Sequence, residues 1–178
     1  MQKKIDNANT SEIDYRTNWR TKHMETPKGT RDLFLETLTK IGCQYEIGEG
    51  DDKNKIFFAY QGENFLADAN NESRYVSILD PFGEHVELYD IDEISRLRKA
   101  INLSNLNCAT TTVFTIDEAG HTFDVHSKVV ILFFPQIPEI EDYLRVVLND
   151  FFRVHQYVAN EMAKQRAAES QMRSMQRA

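Results

Sequence analysis

Lys128-Val129-Val130-Ile131-Leu132-Phe133-Phe134-Pro135-Gln136-Ile137-Pro138 decides the fold. The first seven residues are β-branched or aromatic almost throughout and read as a strand. Two prolines then stop it, and acids follow Pro138 at Glu139 and Glu141. A proline with acids just after it marks a helix start. From there Ile140, Tyr143, Leu144, Val147, Leu148, Phe151, Val154 and Val158 form a broad helical stripe. Such a helix has to cover something, and a twisted sheet is the natural substrate.

Upstream of this junction the pattern alternates between the two periods. Leu33, Phe34, Leu38 and Ile41 fall at helical spacing, with Thr30 as expected N-cap and Gly42 as stop. The period then becomes two. Strands are expected at Cys43–Ile47, Lys55–Tyr60, Asn64–Ala69 and Arg74–Leu79, joined by Gly48–Asp52, Gln61-Gly62 and Asn70–Ser73. Val86–Tyr89 extends or echoes the fourth strand beyond Asp80-Pro81-Phe82-Gly83. A second helix runs from about Ile91 to Asn107, capped by Asp90 or Asp92, with Ile94, Leu97, Ile101 and Leu103 or Leu106 on its apolar face. Ala109–Ile116 and Thr122–Phe133 make a last hairpin around Asp117-Glu118-Ala119-Gly120, where Gly120 suits a positive φ. The expectation is an α+β domain in the order α-β-β-β-β-α-β-β-α, with about five to six antiparallel strands and a long C-terminal helix.

Residues 30–162 form that domain. Residues 1–29 read as a polar N-terminal arm, in which Ile13, Tyr15 and the sole tryptophan, Trp19, are the scattered apolar groups. Residues 163–178 read as a polar helix extension or a disordered tail. The whole chain of 178 residues carries −7, and residues 1–29 and 160–178 carry +2 each, which leaves −11 for residues 30–159. An acidic body argues against nucleic-acid binding, which needs a basic face for phosphate contacts. No apolar run is long enough to cross a bilayer, so neither a membrane partner nor a membrane anchor is expected. Cys43 and Cys108 lie far apart and outside any C-x-x-C. They are expected as small buried residues at strand starts, in a protein of the reducing cytoplasm.

Candidate chemistry is sparse. His121 and His126 are five apart near one strand, so they face opposite sides and do not share a metal. Glu49, Asp51 and Asp52 cluster in one loop without the ligand order of a calcium site. Glycine-rich phosphate loops are absent, and no cofactor is expected. Asp90-Ile91-Asp92-Glu93 is a helix start rather than a carboxylate pair. His155 is expected at the boundary of the core. The paired rings are more suggestive, because adjacent strand residues face opposite sides. Phe57, Phe58, Phe133, Phe134 and Phe152 are therefore the candidate interaction surface.

Three local features carry a resemblance. They are Phe-x-x-Tyr-x-Gly-Glu-Asn-Phe-Leu from Phe57 to Leu66, Ala100-Ile101-Asn102 with Leu106-Asn107, and Ile116-Asp117-Glu118-Ala119-Gly120. In this element order they resemble the YbjN-type domain, whose fold is similar to that of type III secretion chaperones. The resemblance covers about residues 30 to 162. It implies no enzyme activity, no cofactor and no catalytic residues, and a regulatory or chaperone-like role. The expected function is a non-enzymatic protein-binding module of the bacterial cytoplasm, which holds a protein or peptide partner and dimerises. The alternatives are an enzyme with a site around Cys108, His121 and His126, or a structural subunit of a complex.

Overall fold

The computed structural model describes residues 29–81 and 85–176. The arm around Trp19 lies outside the described residues. Among these residues three α-helices and seven strands follow in the order α1 (Thr30–Lys40), β1 (Gln44–Ile47), β2 (Lys55–Tyr60), β3 (Glu63–Ala69), β4 (Tyr75–Asp80), β5 (His85–Glu87), α2 (Ile91–Asn107), β6 (Thr111–Asp117), β7 (Thr122–Leu132) and α3 (Ile140–Met175), with a 3-10 turn at Gly50–Asp52. This is the expected α+β order, with the Val86 segment as a strand of its own.

All strand pairs are antiparallel. The first four strands form the expected meander, and β7 inserts its C-terminal half beside β4. Its N-terminal half pairs with β5 on that same side and with β6 on the other. β5 thus continues the line of β4 along β7. The register explains the break. Asp80 lies opposite Ser127 and His85 opposite Asp124, so four residues separate the paired positions on this side where β7 has two.

Local chemistry sets the boundaries. Gly29, not Thr30, is the N-cap of α1, and Thr30 instead donates its hydroxyl to Phe133 O. The end of α1 is a Schellman motif, in which Cys43 N–H bonds Leu38 O and Gly42 N–H bonds Thr39 O. β2 and β3 are joined by Gln61-Gly62, both at positive φ, which is the two-residue turn whose twist matches flanking strands. At the β6–β7 tip the positive φ belongs to His121 rather than Gly120. A Cβ at 120 would meet Asp117 Oδ2 at 2.5 Å, so a larger residue there displaces the Asp117 carboxylate. Asp90 caps α2 by accepting the Glu93 N–H.

All three helices pack on one face of the sheet, and the core divides into two clusters there. The larger joins Phe34 and Leu38 of α1 to Phe58, Phe65, Ile78, Ile131 and Phe133 of the sheet and to Leu144, Leu148 and Phe151 of α3. The smaller joins Leu97, Ala100 and Ile101 of α2 to Val86, Phe123 and Val125 and to Val158 and Met162 of α3. α3 spans both, with Leu144, Leu148 and Phe151 in the first and Val158 and Met162 in the second. Leu106 is exposed, Leu103 lies in a surface groove beside Gln165, Ala168 and Met172 of α3, and Ser104 takes the buried position instead. Beyond Met162, α3 remains helical to Met175 and is tied to α2 by ion pairs of Arg96 with Glu169 and of Arg166 with Glu93. Among the described residues, no helix is long and apolar enough to cross a membrane.

Candidate functional site

The sheet face opposite the helices is uncovered among the described residues. Strand alternation puts Phe57 on it, in a row with Leu66, Leu79 and Lys128 across four strands. The next row is Lys55, Asp68, Ser77 and Val130, and Tyr75 pairs with Leu132 beyond it. Phe57 is 51% exposed, and Tyr75, Val130 and Leu132 are exposed as well. A shallow groove of about 430 Å³ runs over these rows. Lys55, Asp68, Ser77 and Lys128 line it beside Leu66, Leu79 and Val130. Lys55 Nζ donates to Asp68 Oδ2 at 2.8 Å, which draws the Lys55 pKa up. Lys128 enters no ion pair among the described residues.

The expected aromatic surface needs correction. Phe58 is 3% exposed and Phe133 fully buried, each against Phe34. Adjacent strand residues put one ring of each pair on each side, here Phe57 outward and Phe58 inward. At the second pair Phe133 points into the core and Phe134 is half-buried where β7 has already ended. Phe152 packs beside Tyr60 and Phe65 at the edge of the core. The residues that join Phe57 on the open face are Leu66, Tyr75, Leu79, Val130 and Leu132. They were legible from strand phase, since each sits an odd number of positions from a buried neighbour in its strand.

The Cys108, His121 and His126 grouping is not assembled. Cys108 is the C-cap of α2, before β6, while His121 lies in the turn after it. The seven residues of β6 separate them, about 20 Å of strand. Both ring nitrogens of His126 are engaged, by Thr115 Oγ1 at 2.9 Å and Pro81 O at 3.0 Å. Both cysteines are free thiols and half-buried, and only Cys43 stands beside a strand start. Burial pushes the Cys43 thiol up, with Arg145 opposing. No group of three or more His, Cys, Asp or Glu among the described residues is arranged to hold a metal ion.

A second polar site lies on the helix side, between the two cores. Asp80 is 1% exposed and stands 3.2 Å from His155 Nε2. Ser127, opposite Asp80 in the register, and Thr112, opposite Ser127, have buried hydroxyls with no hydrogen-bond partner among the described residues. Ser127, Thr112 and His155 line a cavity of about 530 Å³ with Leu97, Val125 and Phe152. Ser127 makes no hydrogen bond to His155, so the nucleophile–base link of a hydrolytic triad is not formed. The signal was present in the sequence: Asp80 and Ser127 are polar residues in the buried phase of their strands.

No protein-family model and no curated protein matches the chain. Among solved structures, the crystal structure of an uncharacterized protein from Methanothermobacter thermautotrophicus is similar, at 11% identity and a TM-score of 0.50. The match covers 76% of this chain and 98% of that one. At that identity the likeness concerns the fold alone.

Proposed function

We propose that this chain is a non-enzymatic protein-binding module, regulatory or chaperone-like in the manner of the YbjN-type domain it resembles. Its partner is a polypeptide segment forming an amphipathic helix, laid with its apolar stripe on the open sheet face. The observation that carries this reading is the unbroken row Phe57–Leu66–Leu79 flanked by Tyr75, Val130 and Leu132, with no element over it among the described residues. Helices already cover the opposite face through equivalent rows, so a helix is the occupant such a surface fits. Lys128 at the end of the row offers a cation to an acidic residue beside the partner's stripe.

The test is a quantitative pull-down with the full chain and a Phe57→Lys/Val130→Lys variant, using Asn160→Lys on the exposed side of α3 as a control. The reading expects one stoichiometric protein retained by the wild type and by the control and lost by the double variant, whose circular dichroism stays native. Equal retention by all three would remove it.

A further inference from the structure

The edge of the sheet at β6 carries an inference that is independent of the open face. Asn105 of α2 closes on the main chain of Thr112: its Oδ1 accepts the Thr112 N–H at 2.8 Å and its Nδ2 donates to the Thr112 carbonyl at 3.0 Å. Thr112 therefore points its main-chain groups away from β7. Main-chain direction alternates along an antiparallel strand. Those of Phe114 and Ile116 thus also face outward, and no group among the described residues takes them. Natural sheets blunt such edges with lysine, proline, a bulge or a short strand. β6 has none of these. It is Thr-Thr-Val-Phe-Thr-Ile-Asp, seven residues in regular register with β7.

We propose that β6 pairs antiparallel with β6 of a second copy of this chain, about a two-fold axis at Thr115. The free edge is bounded by the Asn105-capped Thr112 at one end and by the end of the strand at Asp117 at the other. Only Phe114 and Ile116 have open groups between them. Centring on Thr115 places Phe114 opposite the partner's Ile116, and Ile116 opposite the partner's Phe114. The two N–H and two C=O groups of each copy then meet those of the other. The same register packs the Phe114 and Ile116 side chains, 42% and 56% exposed in one chain, against each other on the helix side. It sets Asp117 opposite the partner's Val113, so the two acids do not face one another. The interface is isologous and closes both edges. It leaves both helix layers on one side and joins the two open faces into one surface.

The test uses the full chain. At about 100 μM, where any Kd much tighter than this gives mostly dimer, sedimentation is expected to return twice the 20.7 kDa chain mass. Ile116→Lys is expected to return the single-chain mass with unchanged circular dichroism. Thr115 meets the partner's Thr115 as a close, non-hydrogen-bonded pair, at a Cα separation of about 4.5 Å that a disulfide accepts. Under mild oxidation Thr115→Cys is expected to cross-link fully beyond the wild-type background, and Val113→Cys, which faces the partner's Asp117, is not. A single-chain mass for the wild type would overturn the proposal, as would a dimer untouched by Ile116→Lys, or equal cross-linking from both cysteine variants. None of those results would bear on partner capture by the open face.

Discussion

Asp150 of α3 holds Thr110 by two hydrogen bonds, accepting its main-chain N–H and its hydroxyl, both at 2.8 Å and both on Oδ2. Thr110 is the residue that turns the chain from α2 into β6, and it is buried. The contact therefore pins the start of the hairpin edge to the helix that spans both cores. Arg153 takes the other carboxylate oxygen one turn later.

Replacing Asp150 with Ala is expected to cost about 1–3 kcal/mol, because it strands two donors at a buried site. Urea denaturation measures this directly. Burial opposes the Asp150 charge, but the Thr110 and Arg153 hydrogen bonds outweigh it and hold its pKa below the usual carboxylate value. Its stabilising effect is therefore full above the unfolded-state pKa and is lost as the pH falls through the lower folded one. The gap in stability between wild type and Asp150→Ala should be constant near neutrality and shrink in acid.

Glu93 anchors the far end of α3. It is held below its ordinary pKa by the hydrogen bond from Arg166 first, against burial, with Arg96 adding to the effect. Glu93→Gln is expected to free residues 163–175 from α2 while leaving both cores intact. Hydrogen exchange should lose protection in that last stretch of α3 and not in residues 144–158. Acid should do the same to the wild type, since protonating Glu93 removes the same charge.

Phe57 and Phe58 offer a contrast between neighbours. Phe58→Ala empties a core position beneath α1 and is expected to cost about 3–5 kcal/mol. Phe57→Ala removes an exposed ring and is expected to shift stability by about 0.5 kcal/mol or less. Denaturation midpoints of the two variants decide it.

Gly62→Ala tests the β2–β3 turn. With φ at 90°, an added Cβ is strained although nothing crowds it. A loss of about 1 kcal/mol or more is expected in a thermal melt.

Much of the fold was legible because local signals agreed. The proline stop after Phe134, the Asp90 cap, Gly42 and Gln61-Gly62 each mark a boundary by chemistry that acts within a few residues. The candidate surface was legible only by half. Paired phenylalanines announce that one ring faces each way, but which ring faces the helices depends on register, and that is set by strand partners as far apart as Tyr75 and Leu132. The role of Asn105 was not legible at all. A side chain that mimics a neighbouring strand for one residue leaves no trace in periodicity. Asp80 and Ser127 did break the apolar phase of their strands, and that break marks the gap between the two cores.

The central claim is that the open sheet face receives a partner helix. The most direct measurement places a photoreactive amino acid at position 57 in the full chain, and in a second protein at position 153 on α3, and irradiates both in native lysate. The account predicts one discrete protein adduct from position 57, with the cross-link mapping to an amphipathic segment of the partner, and none from position 153. The same adduct from both positions, or no discrete adduct from position 57, would contradict it.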